Sequence, residues 1–254
     1  MKKILIALVS IAAATCANAA ISWENPVLTI GNPVSSSYDT SGLGLGNSYT
    51  LTMSLDVEQC QKYFPDGSSI ASIPATLARF STTAGGTAEA PTYTHVGINV
   101  NYSSSGGKTS VSGLYGTISD DRGNRVLTGN VSDLSSIRWE EVTAAALTMT
   151  VYSNGSNTGS GQDLTYNGTS VTLFVQTADG YSSYFGQNTT QRYGTFNHGT
   201  LTLDANLITQ AYLFNGAATV GEVAALNAHM IPEPATATLS LLALCGLAAR
   251  RRRK

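Results

Sequence analysis

Tyr49-Thr50-Leu51-Thr52-Met53-Ser54-Leu55-Asp56-Val57 alternates apolar and polar residues. Side chains of an extended chain point to opposite faces in turn. Leu51, Met53, Leu55 and Val57 therefore share one face, and Thr52, Ser54 and Asp56 share the other. A period of two over this length predicts a strand, because a helix would repeat near every 3.6 residues. The same beat recurs outward from here. Val96, Ile98 and Val100 face together in residues 93–100. Leu147, Met149 and Val151 alternate with Thr148, Thr150 and Tyr152, and Val171, Leu173 and Val175 with Thr172, Phe174 and Gln176. Residues 114–118 and 125–127 flank Asp120-Asp121-Arg122-Gly123-Asn124, which reads as a hairpin turn. Leu201 and Leu203 mark a further strand, and residues 207–214 another. Residues 103–107 and 153–161, rich in Ser, Asn and Gly, read as surface loops.

These runs predict an all-β body, an antiparallel sandwich. Each strand has one apolar face, and two sheets bury those faces against each other. The Thr and Tyr face is expected in water, where such residues suit a β surface. No amphipathic helix is expected until close to the end of the body. Charged residues make up 12% of the chain, against about 25% in an average domain. Ser, Thr, Gly and Asn fill the gap, which favours an extracellular β-rich body over a cytosolic enzyme.

Both ends carry address-like segments. Met1-Lys2-Lys3 is basic, residues 4–14 are apolar, and Ala17-Asn18-Ala19 is a small-x-small site. Together they predict a secretory signal peptide over residues 1–19, a helix removed by signal peptidase after Ala19. Lipidation of Cys16 is the alternative, but Cys16 lacks the leucine three residues ahead and follows Thr15. At the other end, Pro232-Glu233-Pro234 precedes a mostly apolar run, residues 235–249, and then Arg250, Arg251, Arg252, Arg253 and Lys254. The prolines enforce an extended break. The run is a short candidate transmembrane helix of about 22 Å, against about 30 Å of hydrocarbon. Arginine stems recover part of the deficit by snorkelling, and the basic cluster should stay on the cytoplasmic side. An ordinary C-terminal core helix would show a polar face, and this run does not.

Linker, apolar span and arginine stop, in that order at the C-terminus, resemble the PEP-CTERM sorting signal of Gram-negative bacteria. Ile231 stands where many members carry valine. The resemblance implies transient residence in the inner membrane, recognition of Pro232, Glu233 and Pro234 by a membrane exosortase, and a stop at Arg250, Arg251, Arg252 and Arg253. The tail would then be removed and the body delivered to the envelope surface or the medium. An uncut tail serving as a plain anchor is the other outcome. The expected organisation is signal peptide 1–19, body 20–229 and sorting segment 230–254.

A second resemblance lies in the last third. Trp139-Glu140-Glu141-Val142 opens a strand region, Asn167-Gly168-Thr169-Ser170 leads into residues 171–175, and Asp179-Gly180 closes it. Residues 208–217 then run into Val220-Gly221-Glu222-Val223-Ala224-Ala225-Leu226, where Glu222 and Leu226 lie four apart on a helix face. This order is similar to concanavalin A-like, laminin-G-like jelly rolls. It implies a two-sheet jelly-roll sandwich, often with a glycan or protein ligand and sometimes calcium, and does not imply an enzyme.

Seven of the fourteen basic residues leave with the two end segments, while all sixteen acidic residues lie between Glu24 and Glu233, so residues 20–233 carry about −9. Nucleic-acid binding is disfavoured, because no basic patch supplies the phosphate contacts. Cys16 and Cys245 also lie in the end segments, which leaves Cys60 alone and expected as a buried, inert thiol. Asp56 and Glu58, two apart on the polar face of their strand, are the nearest approach to a glycosidase carboxylate pair. The third position of that pattern is Cys60, and Glu140 and Glu141 point apart if extended. His95, His198 and His229 show no metal-ligand spacing. No resident metal or cofactor is expected, although Asp120, Asp121 and Asn124 have the oxygen chemistry calcium takes. Tyr181, Tyr184, Phe185 and Tyr193 cluster beside Gly, Ser and Asn, and rings so placed either stack on sugars or cap the core. Tyr181, Tyr184 and Tyr193 are thus the candidate ligand-binding residues. The expectation is an exported, non-enzymatic sandwich used for adhesion, structure or binding of extracellular polysaccharide. The alternative is a secreted glycoside hydrolase on the same fold.

Overall fold

The structure, a computed structural model, describes residues 20–46, 48–63, 76–81, 93–105, 108–120, 125–132, 137–158, 165–179, 182–189 and 199–231. The first part of the chain forms β1 (Leu28–Ile30), β2 (Ser37–Asp39), β3 (Tyr49–Leu55), α1 (Val57–Tyr63) and β4 (Thr76–Ser81). The middle forms β5 (Tyr93–Ser105), β6 (Lys108–Asp120), β7 (Arg125–Ser132) and one 3-10 turn, Trp139–Glu141. The last part forms β8 (Ala145–Thr158), β9 (Thr165–Thr177), β10 (Ser182–Thr189), β11 (Thr200–Leu203), β12 (Ile208–Asn215) and α2 (Val220–Met230).

The strands make two six-stranded sheets. The first is ordered β1-β12-β3-β8-β9-β10 and the second β2-β11-β4-β5-β6-β7. Every pairing is antiparallel. The stretch from Tyr49 is central in the first sheet, with Leu51 opposite Met149 on one side and Leu213 on the other. One apolar core joins the sheets. Leu51, Met53, Leu147, Leu173 and Leu213 enter it from the first, and Phe80, Ile98, Leu114, Leu201 and Leu203 from the second. The Tyr49 ring meets the Phe80 ring edge-on at 4.9 Å. The body is therefore a mostly-β sandwich, as the alternation predicts.

Three expectations are corrected. The strand ends at Leu55, not Val57, because Asp56 starts a helix. The Asp56 carboxylate accepts from the Gln59 amide at 3.0 Å, and its carbonyl accepts from the Cys60 amide at 2.9 Å. An aspartate at this position satisfies an amide that the helix cannot pair itself. Residues 103–105 and 153–158 are not loops but the ends of β5 and β8.

The third correction concerns the polar face of β3. Thr50, Thr52 and Ser54 are buried, as are Thr148 and Thr150 beside them. The cover is α2, which packs on β3 and β8. Its start is a capping box, with Thr219 accepting from the Glu222 amide and Glu222 accepting from the Thr219 amide. Thr52 hydrogen-bonds Thr148, and Thr148 donates to Asn227 Oδ1 at 2.6 Å. The Ser54 hydroxyl donates to the Met230 carbonyl at 3.4 Å. Thr50 donates to the Gly216 carbonyl at 3.0 Å and accepts from the Ala218 amide at 2.9 Å. Buried hydroxyls are tolerated when they find such partners. The helix runs past residue 229, and Met230 and Ile231 are buried beside Ala146.

Candidate functional site

The covered and uncovered faces decide where a ligand can meet this sandwich. The first sheet's outer face carries α2 and the amino-terminal segment. Ile21 packs with Phe214, Ala218, Val223 and Leu226. Trp23 meets the Tyr212 ring, tilted at 4.1 Å, and the His229 ring, stacked at 3.7 Å. The indole is engaged by two rings of the fold itself, one stacked and one tilted, and so acts as a structural clasp.

The outer face of the second sheet is different. Arg79 on β4 pairs with Thr202 on β11 and Gly97 on β5, and Gly97 pairs with Thr117 on β6. The next row holds Thr76, Asn99 and Tyr115, with Asn130 opposite Tyr115 in β7. Thr76 donates to Asn99 Oδ1 at 2.9 Å, and Asn99 Nδ2 donates to Thr117 Oγ1 at 3.2 Å. The two strand rows are thus tied into one polar lattice. Arg79 is exposed and makes no ion pair with the described residues. Asn99, Tyr115 and Thr202 are half-buried. A Cβ on Gly97 would lie 2.6 Å from the Ala78 carbonyl oxygen, so this position excludes a side chain. Thr117 is buried, so the face offers the Arg79 guanidinium and, half-buried, the Asn99 amide, the Thr76 and Thr202 hydroxyls and the Tyr115 phenol, chemistry suited to a hydroxylated or carboxylated ligand.

The residues singled out from sequence fare unevenly. Asp56 caps α1, and Glu58 sits exposed in that helix's first turn. A same-face strand pair is therefore not formed, because the strand has already ended. Glu140 and Glu141 occupy the 3-10 turn, where Glu141 pairs with Arg138 at 2.8 Å. Cys60 is buried and unbonded to another cysteine. Burial, and then the Asp56 carboxylate, push its thiol well above the ordinary range. Tyr184 lies in the edge strand β10 opposite Phe174, while Phe185 shares a row with the buried Leu173. Tyr181 and Tyr193 lie outside the described residues, so the tyrosine cluster is not assembled within them. Asp120 ends β6, but Asp121 and Asn124 fall outside the described residues, as does His198. Ala17, Ala19, Pro232, Glu233, Pro234 and Arg250 to Arg253 fall outside them too. Among the described residues, no group of three His, Cys, Asp or Glu could hold a metal ion. No helix among them is long and apolar enough to cross a membrane.

Sequence reasoning missed Arg79, Asn99, Tyr115 and Thr117. Alternation alone puts Asn99 on a polar face, but only the register joins it to Arg79 and Thr117. No protein-family model matches the chain, and no curated protein matches it.

Proposed function

We propose that this chain is an exported protein of the cell envelope or extracellular matrix, processed at both ends, whose non-enzymatic body binds saccharide. The carrying observation is the tail order of Pro232-Glu233-Pro234, apolar run and Arg250 to Arg253. A signal-like front end at Ala17-Asn18-Ala19 supports the same route. The body is a jelly roll of the concanavalin A-like, laminin-G-like kind. Support for that finer reading comes from two six-stranded antiparallel sheets with sequence-distant neighbours, such as β1 beside β12 and β3 beside β8.

The partners are signal peptidase, an exosortase, the inner membrane in passing, and an extracellular polysaccharide. The polar lattice around Asn99 is the contact surface. Ile231, just ahead of the tail, is buried beside Ala146 of the first sheet, whereas the lattice lies on the second. Mass spectrometry of the natural product tests the route. A product starting at Ala20 and lacking Arg253-Lys254 is expected, and a surviving Arg253-Lys254 would exclude tail removal. A glycan array with the purified product tests the binding. Bound saccharide, weakened at least tenfold by Arg79→Ala with Asn99→Ala, is expected. Silence across the array would leave only a structural role.

A further inference from the structure

We infer that Glu222 is the receptor for the amino terminus that signal removal creates. This rests on the export reading above, specifically on a cut after Ala19. The Glu222 carboxylate joins two distant parts of the chain. Its Oε2 accepts from the Thr219 amide at 2.7 Å, which completes the cap of α2. Its Oε1 accepts from the Ile21 amide, also at 2.7 Å, across 201 residues of sequence. Glu222 is half-buried and enters no ion pair with the described residues. Its neighbours hold it in place, since Ile21 is buried against Val223 and Leu226 of the same helix.

Ala20 is exposed and one residue ahead of that contact. Covalent geometry keeps successive backbone nitrogens within about 3.7 Å, so the Ala20 nitrogen stays within about 6.5 Å of Oε1. In the precursor that nitrogen is an uncharged amide. After the cut it is an ammonium, with three donors and a positive charge, within about 6.5 Å of a carboxylate that has no ion pair among the described residues. Each carboxylate oxygen takes two hydrogen bonds, and Oε1 has one lone pair left. The amino end of α2 alone would repel a cation with about half a charge. The full negative charge of Glu222 standing in front of it reverses the local sign. Export thus adds a contact that the uncut chain cannot make, and the contact ties the first residue of the product to its last helix.

The test uses the exported, processed protein and its Glu222→Gln variant. Glutamine keeps one of the two acceptor oxygens and removes the charge; both melts of the variant share the lost acceptor, so the effect of acetylation still isolates the charge. Each is melted with its amino terminus free and after selective acetylation of that terminus. Acetylation should lower the wild-type melting midpoint by about 2 °C, as loss of an exposed ion pair in a body this size would. It should leave the Glu222→Gln midpoint unchanged. No shift in the wild type, or equal shifts in both proteins, would overturn the inference. Amino-terminal mass separates this from failure of the export reading: a product not beginning at Ala20 refutes the cut itself, whatever the melts show.

Discussion

At the scale of single residues, absent side chains and buried acids set the constraints. A Cβ on Gly116 would stand 2.7 Å from Val171 Cγ2 across the sandwich. The second sheet approaches the first closely there because nothing projects between them. Gly116→Ala should therefore destabilise the fold by about 1–3 kcal/mol, the usual cost of overpacking. The check is urea unfolding, with a lower midpoint at unchanged slope. Cys60 and Tyr49 make the second prediction. Burial pushes the Tyr49 phenol well above its ordinary value, as it does the Cys60 thiol. Both groups are held neutral in the folded state and ionise freely once unfolded. Their contribution is full below the unfolded value, about 8.5 for a thiol and 10 for a phenol, and is lost as pH rises further. Stability should fall between pH 8.5 and 11, with the thiol alone tending to about 1.4 kcal/mol per pH unit. Thermal melts of wild type and Cys60→Ala across this range test it. A variant with the same slope as wild type between pH 8.5 and 10 would remove Cys60 from the account.

At the scale of elements, the decisive feature is the helix over the threonines. Thr148 is bonded to both Thr52 and Asn227, while Asn227 is fully buried and its Nδ2 has no hydrogen-bond partner among the described residues. Removing one side of such a pair costs more than removing both. Thr148→Val should destabilise by about 1–3 kcal/mol, because it strands the Asn227 carbonyl as well. Thr148→Val with Asn227→Leu should recover most of that loss. Chemical denaturation of the two singles and the double closes the cycle. Additive losses would show that the two side chains do not act together. The same element shows what could be read from sequence. The apolar beat from Leu51 to Leu55, and those of Leu147 and Val171, located central strands because burial on one face leaves a period of two. The opposite face could not be read. Thr50, Thr52 and Thr148 look alike under water and under a helix, and only packing of α2 distinguishes the cases. Glu222 and Leu226 announced that helix, but not where it would lie. The Arg79-Asn99-Thr117 lattice was hidden for a related reason. Its members come from β4, β5 and β6, and strand order and register are not written in any one segment.

At the scale of the whole molecule, the ends close the structure. Ile21 and Trp23 from one end, and Val223, Leu226 and Met230 from the other, share the outer face of the first sheet. That face also buries Phe214, Thr50 and Thr148. A chain reduced to residues 20–231 should therefore unfold in one cooperative transition, at the midpoint of the natural processed product. A chain stopping at Asn215 keeps all twelve strands of the described residues but loses the lid over this face. It would leave Phe214 and the buried threonine row facing water, a loss of apolar burial from Phe214, Val223, Leu226 and Met230 of several kcal/mol at about 1.5–3 kcal/mol per side chain. That is comparable with the whole stability of an ordinary domain, about 5–15 kcal/mol. The shorter chain should be aggregation-prone or lack a sharp transition, as read by circular dichroism on heating. If it instead melted like the 20–231 chain, α2 would be an ornament of the sandwich and the clasp would carry no stability.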